Sequence, residues 1–215
     1  MKRVVAATGV PAGALLAPTL MITGSSASAV YAQPAAELAR LTKAGATIKL
    51  ARGFYAAVPV GKDPRSWLPS MEDITAGIAT AIYGVGQGAL WGLSAARVHG
   101  ALPRALATGY AFGPSQHRPV PLLARSGHIE FRRRDPHRLD LEYLPTELGP
   151  GLVTSIAQTV LDLSARDFDE TDPLRQEAVI NLMSVVDHDE LVDLSTRVRG
   201  RSALARAQGL VRSAE

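Results

Sequence analysis

The chain has 215 residues, of which 47% are hydrophobic and 20% charged, and a formal net charge of +3. These values suit one large domain or two small ones with a sizeable core, and they exclude a disordered or fibrous chain. The lack of cysteine excludes disulfides, thiolate zinc sites and cysteine nucleophiles together.

At the start, Lys2 and Arg3 precede an Ala-rich apolar stretch, and Ala27-Ser28-Ala29 imitates a small-residue cleavage site. Gly9, Pro11, Pro18 and Thr19 interrupt that stretch, so a cytoplasmic protein is expected. A secreted helical domain beginning at Val30 is the alternative. No stretch reaches the roughly 18 apolar residues of a membrane span, so no membrane partner is expected.

Residues 34–58 form the first readable unit. Pro34 suits the first position of a helix, and Leu38 and Leu41 give it a short apolar stripe that Gly45 closes. The following "TIKLARGFYAAV" reads as two short strands around a turn at Arg52-Gly53, where the glycine supplies a positive φ. A helix followed directly by a basic hairpin is the order of a recognition helix and its wing. The earlier helices of such a unit would come from residues 3–32, where the pattern is weak.

The Gly-, Pro- and charge-rich "GKDPRSWLP" at 61–69 reads as a linker. Ser70 and Asp73 then resemble a capping box before Ile74, Ile78 and Ile82, which share one helix face. "QGALWGLSAARVHGALP" predicts another helix, closed by Gly100 and Pro103. "HIEFRRR" and "RLDLEYL" alternate as strands, and the remainder reads as three capped helices, one of them stopped by Gly200, and a final Arg-rich helix to about residue 212. The expected fold is α+β. A winged helix-turn-helix occupies residues 1–60, and a mostly helical domain with a small β-sheet occupies residues 70–215.

Four segments carry a family resemblance: "KLARGFYAAVP", "ALWGLSAARVHGALP", "GHIEFRRR" and "LVTSIAQTVLDLSA". In this order they resemble the wing, the following small-residue helix, the strand and the T-x-x-Q-T-x-x-D-L helix of AbiEi-type antitoxins. The resemblance implies the antitoxin of a type IV-like pair, encoded beside a nucleotidyltransferase-like toxin. In that family the winged helix binds operator DNA and represses the operon, and the C-terminal domain serves to neutralise the toxin. The partners so implied are the cognate toxin and operator DNA, with no cofactor.

Arg40 and Lys43 on the recognition helix, with Lys49 and Arg52 on its wing, would contact DNA phosphates and base edges. Ordinary solvated charge is the competing reading. Arg132, Arg133 and Arg134, with Arg125 and His128 nearby, form the densest cationic cluster, suited to an acidic toxin surface or to phosphate. Snorkelling side chains at a strand end would account for it equally. Asp162, set among apolar residues, reads as a buried helix carboxylate paired with an arginine more readily than as a catalytic one.

An enzymatic alternative is a protein kinase that phosphorylates the toxin with Mg-ATP, using Lys49, Lys62 and Asp63. No kinase motif organises these residues. "YGVGQGA" lacks the ending of a phosphate loop and reads as a tight turn between helices. The five histidines show no ligand spacing, so no metal is expected.

Overall fold

The computed structural model describes residues 3–4, 19–166 and 171–214. Residues 5–18, expected to supply the earliest helices of the N-terminal unit, lie outside that set. Ten strands in two sheets and eight α-helices make the described chain a mixed α/β protein. Among the described residues, no helix is long and apolar enough to cross a membrane.

The smaller sheet comes first. Strand β2 (Met21–Thr23) leads into α1 (Gly24–Ser28), whose start is closed by Thr23 and Ser26 bonding to each other's backbone N–H. Helix α2 (Pro34–Lys43) begins on Pro34 and buries Leu38. Gly45 follows it at φ +75°, the usual left-handed ending. Strands β3 (Thr47–Ala51) and β4 (Phe54–Ala57) then turn around Gly53 at φ +85°. All pairings are antiparallel, in the order β2-β4-β3, so the last strand lies in the middle.

The larger sheet has seven strands, where the sequence pattern predicts a small one. Its members are β1 (Arg3–Val4), β5 (Ala89–Leu90), β6 (Thr108–Gly113), β7 (Val120–Pro121), β8 (His128–Arg133), β9 (Leu141–Thr146) and β10 (Gly149–Thr154). They run β1-β9-β10-β5-β6-β8-β7, with β10–β5 and β6–β8 parallel and the other pairs antiparallel. Strand β5 occupies the start of the segment expected to be wholly helical. The "YGVGQGA" turn accordingly joins a helix to a strand.

Helix α3 (Met71–Tyr83) covers one face of this sheet, beginning where the Ser70 side chain accepts the Asp73 N–H at 3.0 Å. It sits unusually close to the strands. A methyl group on Gly109 would lie 2.0 Å from Thr75 Oγ1, and one on Gly113 would lie 2.4 Å from the Tyr83 ring. Both glycines are on β6, on the same side as Ala111. Gly77 of α3 repeats this on the opposite side, where a methyl would meet Met21 Sδ at 2.9 Å. The helix is therefore clasped between the two sheets.

One core results. Met21, Leu50 and Ala56 of the small sheet join Ile74 and Ile78 of α3 and Ile129 and Phe131 of β8 in a single buried cluster. Leu50 O also accepts the Leu123 N–H at 2.8 Å, and Ala51 bridges to Leu122. Trp67 of the expected linker belongs to the same cluster, so the core runs across residues 61–69.

The other face of the large sheet carries α4 (Gly92–Val98), α5 (Ile156–Leu163), α6 (Pro173–Met183), α7 (His188–Arg197) and α8 (Arg201–Ala214). Leu93, Leu102, Val160, Leu161, Leu182, Leu191 and Leu194 build the core they share. Asp187 caps α7 by accepting the Glu190 N–H at 3.1 Å, which accounts for the acidic run there.

Leu50 is fully buried at the junction of the two sheets. Leu50→Ala should cost about 2–5 kcal/mol. Because the core is common, circular dichroism and tryptophan fluorescence should report the same lowered urea midpoint.

Candidate functional site

Two cationic surfaces lie far apart on the chain. The first is formed by α2 and the β3–β4 hairpin. Arg40, Lys43, Lys49 and Arg52 are all exposed there. Arg40 grips Glu37 one turn earlier, with Nε at 3.0 Å from Oε2. That bond holds the Glu37 carboxyl below its ordinary range and raises Arg40 in turn. Lys49 lies over the Tyr55 ring at 5.8 Å. Arg52, at the turn, lines a groove of about 450 Å³ with Phe54, His117, Arg118 and Leu123. Sequence reasoning misses His117 and Arg118, because they stand far beyond the hairpin in the chain and only the fold brings them beside it.

The residues offered for phosphotransfer take separate partners. Lys62 Nζ lies 3.7 Å from Glu147 Oε1, and Asp63 accepts the Arg65 N–H at 3.0 Å within its own turn. Among the described residues, no hydrogen bond or ion pair links Lys49 to either.

The second surface includes strand β8, which divides the cluster expected at 125–134. Arg125 reaches the Pro69 carbonyl at 3.5 Å, and His128 pairs with Glu130 at 3.2 Å at the same end. Arg134 continues the ladder at the other end, donating its N–H to Gly113 O at 2.8 Å. The run of strand from His128 to Arg134 separates them by about 20 Å. Alternation then sorts the three arginines. Arg132 and Arg134 face α4 and α5, where both stack over Trp91, at 5.2 and 5.8 Å. Arg133 projects on the opposite side and is exposed, as Ile129 and Phe131 before it point into the α3 core.

Arg134 forms a two-pronged pair with Asp162 of α5, with Nη2 at 2.8 Å from Oδ1 and Nη1 bonded to Oδ2. The aspartate side chain is 6% exposed, so the sequence-based reading of a buried, arginine-paired carboxylate describes it well. Gln158 donates to the same carboxylate at 2.9 Å and accepts the Asp140 N–H at 3.3 Å. This chain of bonds fixes the end of β8, the start of β9 and α5 to one another.

It also forms one side of a cleft of about 820 Å³. Arg138 of the short 136–138 turn, Arg166 after α5, Arg197 and Arg199 at the end of α7, and Arg206 of α8 share that cleft with Arg134. Arg206 Nε is held by Ser164 O at 2.7 Å. The expected stop of α7 at Gly200 falls one residue earlier. Arg199 takes the left-handed conformation, at φ +57°, and Gly200 only completes the capping bonds. Sequence reasoning misses the cleft, since its arginines are scattered from Arg134 to Arg206. Its one local signal is an arginine standing where the closing glycine belongs, in "TRVRG".

Tyr110 lies on the same face of the sheet as Arg132. Burial, with the neighbouring Glu130 charge, pushes its hydroxyl up from the ordinary tyrosine value. Tyr110 therefore stays protonated throughout the physiological range.

Removing Asp162 strands the Arg134 charge. Asp162→Ala should cost about 3–5 kcal/mol in urea unfolding. The double substitution of Arg134→Met with Asp162→Leu should cost less than Asp162→Ala alone, because no unpaired charge is then buried.

No family model matches the chain, and no curated protein matches it. Among solved structures it is similar to the RV2827C protein from Mycobacterium tuberculosis, at 18% identity over 90% of this chain and 76% of that one. The TM-score is 0.44, a likeness too distant to bear on function.

Proposed function

We propose that the chain is an antitoxin of the AbiEi kind. Its N-terminal part would be a winged helix-turn-helix that binds operator DNA, and its helical layer would neutralise a nucleotidyltransferase-like toxin. The observation that carries this reading is the topology of residues 21–57. A winged helix-turn-helix runs strand, helix, turn, recognition helix, hairpin, with the last strand inserted between the other two. The order β2, α1, α2, β3, β4 with sheet order β2-β4-β3 fits that plan.

Chemistry on α2 and the hairpin supports the same reading. In a winged helix the second helix of the motif enters the major groove, and the wing follows the backbone beside it. Arg40 and Lys43 stand on that helix, while Lys49 and Arg52 stand on the wing. Arg118 extends the cationic surface beyond Arg52. The rigid junction with α3 holds this surface in one orientation. The toxin would be met by the remaining exposed surface of residues 70–215, with Arg133 as one candidate contact for an acidic patch.

Fluorescence anisotropy with the DNA upstream of the chain's own coding sequence tests the DNA half. Lys43→Ala and Arg52→Ala should each weaken binding and lower the slope of log K against log salt by about 1. Glu37→Gln should strengthen binding, because it frees Arg40 and removes a negative charge facing the phosphates. A salt-dependent interaction that none of these changes alters would sink the assignment. For the toxin half, intact-mass analysis after incubation with the chain and Mg-ATP should show an unmodified toxin whose activity is suppressed at equal stoichiometry. A gain of one phosphate would make the chain an enzyme instead.

A further inference from the structure

Among the described residues, the large cleft has more positive charge than its structural pairs use. Arg134, Arg138, Arg166, Arg197, Arg199 and Arg206 line it, against Asp140 and Asp162. Asp162 is taken by Arg134, and Arg138 leans toward Asp135 at 3.4 Å outside the cavity. The side chains of Arg197 and Arg199 form no ion pair or hydrogen bond with any described residue. Guanidinium groups gathered in a concavity repel one another, and low-dielectric walls strengthen that repulsion. A multiply charged anion would relieve it.

Backbone geometry adds a separate observation. Arg199 occupies a left-handed position at φ +57°, which glycine adopts without steric penalty, although Gly200 stands next to it. The turn is closed by Gly200 N–H to Ser195 O at 2.6 Å. A non-glycine residue in this conformation is uncommon, and sparsely populated backbone conformations cluster at functional sites. The Arg199 side chain belongs to the cleft wall.

We propose that this cleft binds a small ligand bearing two or more phosphate groups. Arg197, Arg199 and Arg166 receive the phosphates, since a guanidinium fork matches two phosphate oxygens at once. Ala165 and Val198, both partly exposed, line the cavity and lie against the organic body of the ligand. Asp140, buried and bonded through its backbone to Gln158, offers a carboxylate to a ligand hydroxyl or N–H. The cavity volume of about 820 Å³ falls in the range of small-molecule sites, and its concavity suits a compact polyanion better than a flat acidic protein face. The proposal stands on the cleft alone and is independent of the antitoxin reading.

Isothermal titration calorimetry of the full chain at constant ionic strength tests it, with inorganic tripolyphosphate in one arm and adenosine triphosphate in the other. Saturable binding of both at equal affinity would assign recognition to the phosphates. Tighter binding of the nucleotide would add the apolar walls and Asp140. In either case, combining Arg197→Gln with Arg199→Gln should weaken binding by about tenfold or more, while Arg65→Ala, at an exposed position outside the cleft, leaves it unchanged. Arg199→Gly should weaken binding and yet raise the thermal midpoint of the ligand-free chain, a combination that a purely structural arginine would not give. No saturable binding of either anion, or unchanged affinity in the double variant, overturns the proposal. Binding restricted to long single-stranded nucleic acid overturns it as well.

Discussion

The close seating of α3 is the constraint on which the rest of the molecule depends. On one side Gly109 and Gly113 let the helix approach β6 to a distance that any side chain would forbid. On the other, Gly77 lets Met21 reach the helix backbone. Dense contact of this kind yields dispersion energy on both faces of one helix and leaves no room for adjustment. The small sheet, and with it the α2-and-hairpin surface, is positioned by that contact, by the Leu50–Leu123 bond and by Trp67 of the 61–69 segment, buried in the same cluster.

The same constraint decides what the sequence discloses and what it hides. Helices α2, α3, α6 and α7 carry their own punctuation in Pro34, Ser70, Pro173 and Asp187, and the hairpin around Gly53 is equally explicit. Strands β6 and β10, "TGYAFG" and "GPGLVT", carry signals of the opposite sense. Glycine and proline read as turn formers, and only the third dimension shows that glycine serves there to admit a helix. A seven-stranded sheet therefore looks like a small one in the sequence. Strand β1 finds its partner most of the chain away, Arg3 facing Glu142, beyond the reach of any local pattern.

Sites follow a similar rule. The Arg134–Asp162 pair is legible because an aspartate in the middle of an apolar helix needs a cation beside it, and the 132–134 run supplies arginines for the purpose. Alternation along β8 then separates Arg133 from its neighbours, as strand geometry requires. The large cleft is not legible, because it is assembled from the ends of elements. Its cations meet only after α5, α7 and α8 have packed around Leu161 and Leu194. The converse also holds: Lys62 and Asp63 are adjacent in sequence, yet each bonds a different neighbour.

A core that crosses the 61–69 segment has a consequence for how such a protein diversifies. Modules joined by a free linker evolve by exchange, since either half keeps its fold beside a new companion. Here a transplanted half would arrive with side chains at the Met21 and Leu50 positions that had never been fitted to the glycine at 77 or to Phe131. Recombination at the linker would thus produce misfits far more often than working hybrids. Arg40, Lys43, Lys49 and Arg52, exposed on the solvent side of α2 and the hairpin, can change instead without refitting the core beneath them.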